Sequence, residues 1–94
     1  MRGQFLRSLP SSLLSAEDSA ARDRIVAHMG KIGDPARTVV TVESTGKHSG
    51  KGAIVTAGTG REVDGHMRVV SACAEGKTAG EAICAVGQML GVSL

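Results

Sequence analysis

Ninety-four residues, 41% of them hydrophobic and only one aromatic, allow a single domain. Its core must come from Ala, Val, Ile and Leu, without the roughly 150–250 Å² that each aromatic ring can bury. Eleven basic against nine acidic residues give a net charge of +2, too mild to imply a nucleic-acid or membrane surface, so any basic patch is local. No apolar run approaches the ~18 residues of a bilayer span.

Thirteen glycines are about twice the usual share of roughly 7%, and each adds chain entropy that folding must overcome. A thin core with many glycines describes a domain that gains from oligomerising or from docking on a partner. Two cysteines, Cys73 and Cys84, are too few for a disulfide framework. Both sit inside apolar patterns, which predicts buried free thiols of a reducing compartment.

In chain order, residues 1–14 form an N-terminal arm and residues 15–94 a single α+β domain. The arm has arginines, serines and leucines and no acid before Glu17, in the manner of a transit peptide. Pro10, Ser11 and Ser12 interrupt its apolar part, which falls short of the roughly 7–15-residue apolar region expected of a secretory signal. With Phe5, Leu6 and Leu9 it reads better as a docked or partner-seeking arm. Ser15-Ala16-Glu17-Asp18 is a capping box that starts a helix, and Ala21, Ile25, Met29 and Ile32 form its apolar stripe. Gly30 and Gly33 offer left-handed caps, and Asp34-Pro35 ends the segment, so the helix is expected to close near residue 30.

The β-branched run Arg37 to Glu43 is the first predicted strand. "STGKHSGKG" is then a flexible hairpin loop. The second strand is "AIVTA", residues 53–57, followed by a bulge or turn at Gly58 and Gly60. Asp64-Gly65 is the favoured pair for a type I′ turn. The third strand, "HMRVVSACA", puts Met67, Val69, Ser71 and Cys73 on one face and His66, Arg68, Val70 and Ala72 on the other. Such short connections make the sheet an antiparallel meander.

The last helix is expected from about Ala79 to Leu90, with Ala79, Ile83, Val86 and Leu90 as its stripe. Beside that stripe Gly80, Cys84, Gly87 and Gly91 recur at helical spacing, a small-residue face suited to close packing on the sheet or to a helix pair across a homodimer. The predicted architecture is α-β-β-β-α, a three-stranded antiparallel meander with two helices on one face.

Gly76-Lys77-Thr78 between an apolar strand and a helix invites comparison with a phosphate loop. The G-x-x-x-x-G-K-[ST] pattern would put its first glycine where Ser71 stands, inside a strand. Thr78-Ala79-Gly80-Glu81 is instead a second capping box. Lys47, His48 and Lys51 among three glycines form a basic loop that can cradle a phosphate or meet an acidic surface. With no aromatic residue in the strands, base stacking is not expected. His28, His48 and His66 with the cysteines show no paired metal-ligand spacing, so no metal or other cofactor is expected. No convergent set of catalytic roles stands out either, so the chain does not read as an enzyme.

Two resemblances rest on these residues. The α-β-β-β-α order, "EGKTAGEAICAVGQML" and Gly46-Lys47-His48 resemble a double-stranded-RNA-binding domain. The chain departs from that family in having a lone Lys77 at the start of the last helix and no aromatic core residue on the second strand. "TVVTVEST", "DGHMRVVSACA" and "AGEAICAVGQM", over roughly residues 36–91, resemble small phage-encoded anti-CRISPR proteins that act on type I surveillance complexes.

The second resemblance implies a non-enzymatic inhibitor that acts in the host cytoplasm, binds a Cas complex subunit or competes with target DNA, and has no membrane role. The expected binding residues are Lys47, His48, Lys51, His66, Arg68 and Lys77, and the expected oligomer face is Gly80, Cys84 and Gly87. The alternatives are a nucleic-acid-binding module contacting phosphates through Lys47, Lys51, Lys77 and Arg68, and a self-assembling structural protein.

Overall fold

The computed structural model describes residues 14–94; apart from Leu14, the arm expected at residues 1–14 lies outside them. The elements are α1 (Ala16–Ile32), a 3-10 turn (Pro35–Arg37), β1 (Val39–Ser44), β2 (Ala53–Val63), β3 (His66–Gly76) and α2 (Ala79–Leu90). The sheet is an antiparallel meander of order β1-β2-β3. Both helices pack on the same face of it, as the α-β-β-β-α reading expects. Among the described residues no helix is long and apolar enough to cross a membrane.

Side-chain chemistry at the helix ends sets where the helices begin. The Ser15 Oγ accepts the Asp18 N–H at 3.0 Å, filling one of the orphan donors of the first turn of α1. The Thr78 Oγ1 does the same for the Glu81 N–H at 3.2 Å, and the Glu81 carboxylate reaches back to the Lys77 N–H at 3.4 Å. The helix ends were less legible. α1 runs on to Ile32, and its C-cap Gly33 has φ −134°, so the expected left-handed cap is not made there. Gly33 serves closeness instead, because a Cβ at this position would run into the Thr59 side chain.

The 3-10 turn, entered by an Asp34 Oδ1 that accepts the Ala36 N–H at 2.9 Å, takes up Arg37 and delays β1 to Val39. β2 is eleven residues long, not five. Gly58 and Gly60 make neither bulge nor turn, for the register with β3 runs unbroken from Ala53↔Gly76 to Val63↔His66. Ladder hydrogen bonds on both sides hold a central strand through residues that read locally as breakers. At the hairpin end Asp64 and Gly65 have φ 53° and 78°, both positive as a type I′ turn requires.

The alternation of the strands decides the core. On the helix-facing side lie Val42, Ala53, Val55, Ala57 and Ala72, packed against Ile25 and Met29 of α1 and Ala82, Ile83 and Val86 of α2. Ala79 and Leu90 flank this core, so the predicted stripe of α2 is the buried one. The opposite parity of β3 faces away. Cys73 is exposed, correcting its expected burial, and Cys84 is exposed too. Cys84 sits one residue past Ile83, about 100° around the helix from it.

Candidate interaction site

Buried polar chemistry fixes the junction of α1, β1 and β2. Thr59, 4% exposed, shares a 2.9 Å hydroxyl contact with Thr38, and the Thr38 Oγ1 donates to the Asp34 carbonyl at 3.0 Å. The Asp34 N–H donates to the Gly60 carbonyl at 2.8 Å. This knot ties the end of α1 to mid-β2, and the β2–β3 hairpin continues past it without helix cover.

On the far side of the sheet the side chains of Val39, Thr41, Thr56, Met67, Val69, Ser71 and Cys73 face away from both helices. No described element packs over them, and Val39 and Val69 are 59% and 70% exposed. Between these two valines, β2 presents Gly58 and Gly60. A shallow depression of about 370 Å³ lies there, walled by Val39, Met67, Val69 and Arg37. The Arg37 guanidinium reaches the Met67 sulfur at 3.4 Å. Glycine at two alternate positions on one face of a central strand exposes backbone and forfeits cross-strand side-chain packing, a pattern found where a ligand or another backbone comes close.

The expected binding residues divide between two ends of the sheet. Lys47, His48 and Lys51 occupy the β1–β2 loop, close to Lys77 just beyond the end of β3. His66 and Arg68 lie at the hairpin end, eight and more strand residues away, or roughly 26 Å for Arg68. The structure does not bring the six together. The loop is also more internally bonded than its composition suggests. Gly46, Lys47, Gly50, Lys51 and Gly52 all spend their N–H groups within residues 44–52. His48 and Ser49 adopt positive φ of 55° and 60°, and the Lys47 ammonium pairs with Glu75 at 3.4 Å. Few amides remain to cradle a phosphate.

The small-residue face of α2 turns toward this chain's own elements rather than toward the sheet. A Cβ on Gly80 would stand 3.0 Å from the Asp18 Oδ1 of α1, and one on Gly87 would stand 2.5 Å from Cδ1 of Leu94. The close packing expected there is real, but its partners are α1 and the C-terminal residues. Gly91 ends α2 in the left-handed conformation, φ 72°.

A basic cluster that includes Arg68 escaped the sequence reading. Arg61 stands directly across from it in the β2–β3 ladder, and Arg61 also borders a depression lined by the bases Lys31 and Arg37 and the acids Asp34 and Glu62. The type I′ turn at Asp64-Gly65 would have given the pairing by counting outward, had the second strand not been ended at residue 57. Among the described residues the ion pairs are Arg22–Asp23 and Lys47–Glu75, so neither Arg61 nor Arg68 meets an acid. No group of three or more His, Cys, Asp or Glu side chains that could hold a metal forms among them.

No protein-family model, curated protein or solved structure matches the chain.

Proposed function

We propose that the chain is a small non-enzymatic interaction protein that seats a partner protein on the helix-free face of its sheet. The observation that carries this reading is the Gly58–Gly60 floor between Val39 and Val69. It is a built depression in apolar surroundings, on a central strand where side chains would otherwise pack. Exposed apolar surface of this kind, rimmed by Thr41, Thr56, Ser71 and Arg37, suits a protein–protein contact. The resemblance to anti-CRISPR proteins supplies a partner class, a subunit of a type I surveillance complex in the host cytoplasm. The face would then block the complex by occupancy and needs no catalytic group.

Gly58→Val tests the site without attacking the fold. A Cβ at Gly58 meets only the Val70 carbonyl oxygen at 3.9 Å, an ordinary contact, and valine favours a strand over glycine by up to about 1 kcal/mol. The variant is expected to unfold at the same or a higher temperature and to lose capture of a purified type I complex. A wild-type chain that captures no such complex and gives phage no protection in a type I host removes the Cas reading. A Gly58→Val chain that captures it as well as the wild type removes the sheet face. Capture of nucleic acid that falls steeply with salt and vanishes on charge reversal of Lys47 and Lys51 would favour the phosphate-binding alternative.

A further inference from the structure

On the helix side of the sheet, just past the end of α1, a groove of about 500 Å³ is lined by Ile32, Thr59, Arg61, Val63, Arg68 and Val70. Arg61 and Arg68 face each other directly across the ladder. Like charges in that position are destabilising, and neither arginine is paired with an acid among the described residues. The wall beside them is aliphatic, with Ile32 and Val70 38% and 40% exposed. Two guanidinium groups side by side against an aliphatic wall form a surface of mixed chemistry that nothing in the described fold satisfies.

We infer that this groove is a second docking site, which takes an acidic and aliphatic segment of a partner protein and holds a carboxylate between Arg61 and Arg68. Charge complementarity requires an anion, and the planar fork of arginine matches carboxylate oxygens two at a time. The aliphatic wall selects among anions. A phosphodiester chain would set its most polar atoms against Ile32, Val63 and Val70, and no Phe, Tyr or Trp stands among the described residues to stack a base. A segment alternating leucine-like and acidic side chains satisfies both halves of the groove, and its arrival removes the Arg61–Arg68 repulsion. The groove lies on the opposite face from the Gly58–Gly60 depression, so the two surfaces stand or fall separately.

The test uses three fluorescent probes on the full chain: a hexapeptide alternating leucine and glutamate, its leucine–glutamine counterpart, and a single-stranded oligonucleotide of equal charge. Anisotropy titrations are expected to show saturable binding of the glutamate peptide, weakened by salt, with the glutamine peptide about tenfold weaker or more. Arg68→Glu places an acid opposite Arg61, so it is expected to raise the melting temperature while abolishing binding of the glutamate peptide. Gly58→Val is expected to bind that peptide as the wild type does, which separates this site from the sheet face. Equal binding of the two peptides, tighter binding of the oligonucleotide, or undiminished binding by a folded Arg68→Glu chain would overturn the proposal. A lower melting temperature for Arg68→Glu would overturn the premise that the two arginines repel.

Discussion

Thr59 has two duties in this protein, one in the core and one in the ladder. Its side chain is buried on the helix side, yet its hydroxyl meets Thr38 and lies 3.4 Å from the Asp34 carbonyl. Replacing it with the isosteric valine keeps the volume and removes the hydrogen bond, so Thr59→Val is expected to lower stability by about 1 kcal/mol in urea denaturation. Thr56→Val, on the exposed face, is expected to stay within ~0.5 kcal/mol. No local pattern in "AIVTAGTGREV" distinguishes these two threonines. Their difference is one of parity, and parity becomes meaningful only when a helix covers one side.

At the level of elements, local chemistry was readable wherever one or two neighbouring residues decide the backbone. The N-caps Ser15 and Thr78 and the Asp64-Gly65 turn follow from side-chain oxygen geometry and from tolerance of positive φ. Thr78→Ala is therefore expected to destabilise the protein by about 1 kcal/mol, read as a lower denaturation midpoint with the helix content of the folded chain preserved. The span of β2 was not readable, since Gly58 and Gly60 signal breaks locally and only the strands on both sides override them. The face of Cys84 was misjudged for a related reason. A helix with Ala, Gly and Cys on several sides carries little contrast to say which side is covered.

At the scale of the molecule, ten buried hydrophobic residues among the described ones, none of them aromatic, hold two helices to three strands. A chain of this length has about 5–14 kcal/mol of net stability, and truncating a fully buried isoleucine costs about 2–5 kcal/mol. Ile83→Ala is thus expected to remove a large fraction of the total, seen as a steep drop in melting temperature. The fold class could be read in advance because strand and helix periods differ. The surfaces could not, because they depend on which strand positions project past the helices. Arg68 drew notice as a cation, but its significance rests on Arg61 across the ladder and on the end of α1 beneath both.

Among the described residues, the meander leaves β3 with one hydrogen-bonded neighbour along its eleven residues. Its outer edge offers backbone donors and acceptors to any extended chain, including another copy of itself. Along "HMRVVSACAEG" the charged positions are Arg68 and Glu75, and between them runs an uncharged apolar and small-residue stretch. Charged residues placed so are the kind that oppose edge-to-edge stacking, so removing them is expected to promote association in concentrated solution. Neutralising them would change the colloidal behaviour of the protein before it changed the fold.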